Sequence, residues 1–246
     1  MTTFKERPLC SLAFASEANS YDENLSALLS LVKKAPSNAV IVFPEVAVTN
    51  FDYDHFEAAA VYAEVITRAL KEAAQEQIIV ATMIEKRRDG KTYNVAKVFH
   101  QGRVVHEQAK AKLFTFGGEH DYFAPGDESE ITLFEVDGLR FGLLICFELR
   151  FKHLWQKLEG ADIMLIPAQW GKLRSQNFVS LTNALAIMNQ CYVVASDADN
   201  SDTSGMSGII TPFGEELRNG GLVCLEGNFS EKEVRKMRRY LDVGIA

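Results

Sequence analysis

The chain has 246 residues, 47% of them hydrophobic and 24% charged, which is enough length and apolar content to bury a core and excludes a natively disordered chain. Its 33 acidic against 26 basic residues give a formal charge of −7, which argues against nucleic-acid phosphates or anionic lipid as partners and leaves a small molecule as the expected ligand. Four scattered cysteines, Cys10, Cys146, Cys191 and Cys224, form no CxxC pair, so zinc and dithiol spacings are absent and reduced thiols in the cytoplasm are expected. The residues after Met1 lack the apolar stretch of a secretory signal or a membrane span, so neither export nor anchoring is expected.

Strand-length apolar runs alternate with helical periods along the whole chain, the mark of a layered α/β fold. Leu9 to Ala15 and Ala39 to Phe43 read as strands, the second stopped by Pro44. Between them Leu25, Leu28, Leu29 and Val32 keep helical spacing, with Asp22 as N-cap. Glu57 to Gln77, free of Gly and Pro, predicts a long helix. Strands follow at Ile78 to Ile84, Tyr93 to His100 and Val104 to Gln108, with hairpin turns at Asp89-Gly90 and Gln101-Gly102. From Leu113 to Asp127 the pattern lapses into a loop long enough to suggest a functional role. Ile131 to Val136 and Leu139 to Ile145 form a hairpin turning at Asp137-Gly138, followed by a short helix around His153 to Leu158 and a strand at Ile163 to Ile166. Phe178, Leu181, Leu185 and Met188 mark another helix. Strands at Tyr192 to Ser196 and Gly208 to Thr211 lead to a turn at Pro212-Phe213-Gly214, and Ser230 with Glu233 predicts a capping box for a last basic helix ending near Leu241.

Cys146 closes the apolar run Phe141-Gly142-Leu143-Leu144-Ile145, which would set a thiol at the carboxyl edge of a sheet, where open α/β folds place their ligands. Taken alone, a cysteine is more often a small buried hydrophobe, and Cys10, Cys191 and Cys224 keep that reading. Glu45 ends the run Val40 to Pro44, and burial there would raise its pKa toward that of a general base, although a lone acid after a strand is more often a cap or a surface charge. Lys110 and Lys112 share one face if the segment is extended, which also fits a solvated surface. Glu119 lies in the irregular loop and reads equally well as a solvated acid.

Together these segments resemble the nitrilase, or carbon–nitrogen hydrolase, superfamily. Phe43-Pro44-Glu45 matches its glutamate motif, Lys110-Ala111-Lys112-Leu113-Phe114 its lysine motif, and Cys146-Phe147-Glu148-Leu149-Arg150-Phe151 its nucleophile motif. Glu119 with Tyr122-Phe123 and Pro125-Gly126 is similar to the segment carrying the family's second glutamate, and Ile166-Pro167-Ala168-Gln169-Trp170 to a further strand end. Asn189 to Val194 and Ser207 to Gly214 follow family segments in order. Lys152, Leu185 and Met188 depart from the pattern, none of them at a triad position.

The resemblance implies a four-layer αββα sandwich, one hydrolase domain over residues 1–246, no cofactor or metal, and a homodimer or larger homo-oligomer. It also implies a triad in which Glu45 takes the proton of Cys146, the thiolate attacks an amide carbonyl, and Lys110 with the Phe147 N–H stabilises the oxyanion. A thioester and ammonia result, and Glu119 orients the lysine. Phe147, Tyr122 and Trp170 are candidate substrate contacts, Trp170 fitting a pocket wall and a core position equally. Glu148 and Arg150 are expected to form an ion pair behind the nucleophile. Phe147 after the cysteine favours a small carboxamide over a nitrile, with an ω-amidase-like activity on a dicarboxylic monoamide as the specific reading. The competing readings are a nitrilase or carbamoylamide hydrolase, a non-catalytic binding protein of the same fold, and a Cys–His hydrolase using His120 or His153.

Overall fold

In the computed structural model, residues 5–218 and 221–245 are described. In chain order the strands and helices are β1 (Glu6–Leu12), α1 (Tyr21–Lys34), β2 (Val40–Val42), α2 (Phe56–Ala73), β3 (Ile78–Lys86), β4 (Thr92–His100), β5 (Arg103–Ala109), α3 (Glu119–Tyr122), β6 (Phe134–Val136), β7 (Leu139–Leu143), α4 (Lys152–Lys157), β8 (Ile163–Ala168), α5 (Ser175–Met188), β9 (Tyr192–Asp197), β10 (Gly208–Ile210), β11 (Glu216–Arg218), β12 (Cys224–Ser230) and α6 (Glu231–Tyr240). The strands form two six-stranded sheets, ordered β12-β1-β2-β3-β4-β5 and β11-β10-β9-β8-β7-β6. Each is mixed: β1, β2 and β3 run parallel in one and β7, β8 and β9 in the other, with antiparallel strands on both flanks.

Why the sheets stack follows from the strand pattern. Leu9, Val40, Val42, Ile78 and Val80 of the first sheet share a core with Phe141, Leu143, Ile163, Leu165 and Val194 of the second. Their neighbours Cys10, Ile41, Phe43 and Ile79 point the other way, onto Leu25, Leu28 and Val32 of α1 and Ala63, Ile66 and Leu70 of α2. A strand apolar on both faces must be covered on both, which makes helix, sheet, sheet, helix the stable order. Leu154 of α4 and Phe178 and Leu185 of α5 close the far side. Burying each such side chain contributes about 1.5–3 kcal/mol. Between the sheets runs a polar seam: Ser11 Oγ donates to Ala195 O (2.6 Å), Ser196 Oγ donates to Val42 O (2.7 Å), and Leu12 N donates to Ser196 Oγ (3.1 Å). Among the described residues no helix is long and apolar enough to cross a membrane.

Several boundaries differ from the sequence expectation. β1 starts and ends three residues earlier, because its register is set by β12, from Glu6 opposite Ser230 to Leu12 opposite Cys224. Asp22 lies inside the first turn of α1 rather than capping it, and its carboxylate accepts from the Tyr62 hydroxyl. Helix α2 stops at Ala73; the Gln75 amide donates to the carbonyls of Lys71 and Glu72, and Gln77 is buried with its amide donating to Val32, Ala35 and Pro36. The Ser230–Glu233 capping box does not form: Ser230 makes no side-chain cap bond, and Glu233 accepts from the Tyr192 hydroxyl instead. The hairpin turns at Gln101-Gly102 and Asp137-Gly138 do form, each with two left-handed residues as tight hairpins require.

Candidate active site

Glu45 enters the site because β2 is only three residues long and ends at Val42, after which Phe43 and Pro44 lead the chain out of the sheet. Glu45 N donates to Ala168 O at the end of β8 (3.1 Å), and the next residue, Val46, takes a φ of 45°, a left-handed conformation costly for a β-branched side chain. Its N–H is held by Thr82 Oγ1 at 2.6 Å. Lys110 follows β5, where its N–H donates to Asn94 O (2.8 Å) and its carbonyl accepts from Gly126 N (2.8 Å). Cys146 opens a 3-10 turn over Cys146–Arg150 just after β7, with a φ of 46°. A non-glycine residue in that region at a strand end is held there by its surroundings, and the strain aims the sulfur inward.

The three side chains meet out of water. Lys110 is 0%, Glu45 2% and Cys146 7% exposed. Lys110 Nζ donates to Glu45 Oε1 and to Glu119 Oε1, both at 2.7 Å. Glu119, itself buried at the start of α3, accepts from Phe114 N with its other oxygen (2.9 Å), so it ties the irregular loop to the lysine. The Cys146 thiol lies within the electrostatic reach of the Glu45 carboxylate, which accepts from Asn94 Nδ2 (2.8 Å) and from Gln169 N (3.3 Å). Gln169 N faces the cysteine sulfur as well.

One buried ammonium therefore faces two carboxylates and a thiol. Burial alone would depress Lys110, but the charges of Glu45 and Glu119 outweigh it and hold the ammonium well above the ordinary lysine range. Burial raises the Glu45 carboxyl, and Glu119 adds to the rise while Lys110 opposes it. Burial and the charge of Glu45 push the Cys146 thiol well up, against the pull of Lys110, so the sulfur rests protonated.

A narrow cleft of about 40 Å³ opens over the sulfur, lined by Phe114, Glu119, Phe147, Arg150, Trp170 and Arg174 among others. Across this architecture the model of the carbon-nitrogen hydrolase family matches residues 11–231. The chain belongs to the carbon-nitrogen hydrolase family. Among curated relatives of this hydrolase, a 2-oxoglutaramate amidase of Bacillus subtilis is 33% identical over 210 residues, covering 81% of this chain and 80% of that one. The omega-amidase YafV of Escherichia coli is 29% identical over 181 residues, covering 72% and 70%. In fold the hydrolase is similar to Nit3 of Saccharomyces cerevisiae, a nitrilase-superfamily member, with a TM-score of 0.87 at 19% identity over 98% of this chain and 96% of that one.

The remaining expectations divide. Phe147 lines the cleft, and Trp170 is both wall and core: it borders the cleft, is 3% exposed, and donates through Nε1 to Arg174 O (2.9 Å). Tyr122 is not among the residues lining the cleft; its ring stacks on Tyr53 at 4.0 Å between centroids, and Tyr53 in turn feels the charges of Glu119 and Glu45. The expected Glu148–Arg150 ion pair is absent. Glu148 instead accepts from Ile145 N (2.8 Å) and Ala111 N (2.7 Å), which joins the nucleophile turn to the lysine segment, and burial pushes its pKa up to about 7. Arg150 turns outward over the Trp170 ring. His120 and His153 are exposed and pair with Asp121 and Glu128. Of the departures from the family pattern, Leu185 is in the core, whereas Met188 and Lys152 are exposed. Sequence reasoning missed Asn94 and the role of the Gln169 N–H: a backbone donor carries no residue signature, and Asn94 shares its strand with Thr92, Lys97 and His100, so polarity alone does not single it out.

Proposed function

We propose that this hydrolase converts a small carboxamide to a carboxylate and ammonia through a thioester on Cys146. The observation that carries the reading is the buried carboxylate of Glu45, which accepts from the Lys110 ammonium at 2.7 Å and interacts electrostatically with the Cys146 thiol. As Sγ attacks the carbonyl carbon its proton passes to Glu45, whose raised pKa suits it to a base working toward neutrality. Lys110 Nζ and the Phe147 N–H then offset the charge growing on the oxygen. Glu45 returns the proton to the nitrogen, the C–N bond breaks and ammonia leaves. Water, deprotonated by Glu45, next attacks the thioester; the C–S bond breaks and the thiol is restored. Glu119 keeps the ammonium charged and oriented.

A neutral resting thiol supports proton transfer concerted with attack over a preformed thiolate. The amidase and omega-amidase names of the relatives favour a dicarboxylic monoamide as substrate. A homodimer extends the reading, supported by exposed Ile187 and Met188 on α5 with Phe213 and Tyr240 nearby in the chain's outer layer. Ammonia release from a panel of short amides, abolished in Cys146→Ala with the melting temperature preserved, is the expected result. A silent panel with no thioester mass on Cys146 would overturn the proposal in favour of a binding protein.

A further inference from the structure

We propose that Arg174, seconded by Arg150, is a carboxylate receptor at the mouth of the cleft, so that the amide taken carries a free carboxylate at its far end. This rests on the hydrolase reading above and assigns its specificity to particular residues.

The cleft is polarised. Its floor carries Cys146 and the carboxylates around Lys110, while its outer rim carries two guanidinium groups. Elsewhere the half-buried arginines are neutralised: Arg87 by Glu107 and Glu130, Arg218 by Glu216, Arg238 by Asp162. Among the described residues neither Arg150 nor Arg174 has a carboxylate partner, in a chain of formal charge −7.

Both are placed over aromatic rings. The Arg174 guanidinium lies 5.1 Å over the Phe114 ring, and the Arg150 guanidinium 4.9 Å over the Trp170 ring, with Arg150 Nη2 donating to Asn177 Oδ1 (3.1 Å). A cation–ring contact uses none of the N–H donors, and a guanidinium without a carboxylate partner suits a planar, bidentate acceptor, which is what a carboxylate offers. Arg174 is further confined from behind: a Cβ on Gly171 would stand 2.6 Å from its Nη2, so the guanidinium occupies space that only glycine leaves open there. Its backbone is pinned by Trp170 Nε1. Preorganised charge-assisted donors lose little freedom on binding.

The test compares two amides of equal length, succinamate and butyramide, which differ in a terminal carboxylate against a methyl group. The intact protein is expected to favour succinamate. In Arg174→Gln the ratio of the two kcat/KM values should fall about 10- to 100-fold, carried by the KM for succinamate, as expected for loss of hydrogen bonds to a charged group. Arg174→Lys should restore part of the ratio. Gly171→Ala, which keeps the charge but displaces it, should fall between. Equal losses on both amides, or no initial preference, would overturn the receptor while leaving the hydrolase intact. If neither amide is turned over, calorimetry with succinate decides separately: binding that is lost in Arg174→Gln upholds the receptor, and no binding removes it.

Discussion

Glu45 and Glu119 share the one ammonium of Lys110, and the protonation of Glu45 is set first by burial, with the charge of Glu119 adding to the rise. Glu119→Gln removes one negative charge and lets Glu45 ionise more easily. The acid limb of the kcat/KM profile, where Glu45 becomes protonated and can no longer accept from the thiol, should therefore move to lower pH. The rate itself should drop about 10- to 100-fold, since the lysine loses the partner that orients it. Steady-state rates across the acid range read both effects, and an unmoved limb would mean that Glu119 acts only through packing.

At the scale of elements, the loop after β5 is fastened rather than loose. Gly126 N donates to Lys110 O, and a Cβ on Gly126 would meet Ala109 O at 2.3 Å and the Ala109 carbonyl carbon at 2.7 Å. Backbone cannot yield as a side-chain tip does, so Gly126→Ala should cost about 1–3 kcal/mol of stability. Through displacement of Lys110 it should lower kcat by up to about 100-fold. Thermal melting and kinetics on the same preparation check the pair of effects. Much of this layer is legible in the sequence, because strands apolar on both faces and Gly-containing hairpin turns announce themselves by composition. The edge strands β11 and β12 are not: β12 reads Cys224-Leu225-Glu226-Gly227-Asn228-Phe229-Ser230, and its pairing with β1 is decided by a partner far away in the chain. The segments carrying Glu45, Lys110, Glu119 and Cys146 were legible as ordered motifs. The positive φ of Val46 and Cys146 and the Gln169 N–H were not, since backbone direction at those points is imposed by tertiary contacts.

Across the whole molecule the two sheets are joined by oily packing and by the polar seam of Ser11 and Ser196. Ser196→Ala would strand the buried Leu12 N–H and remove one bond from Val42 O. A loss of about 1–3 kcal/mol is expected, read as a lower urea midpoint with an unchanged slope. The reacting groups themselves straddle that seam, Glu45 and Lys110 following strands of one sheet, Cys146 and Gln169 following strands of the other. Neither half of the protein owns the chemistry. A chain whose halves have each collapsed but not yet docked holds an ordinary thiol and an ordinary acid, so turnover is gained in one step, at the last event of assembly, and is lost first when the layers part.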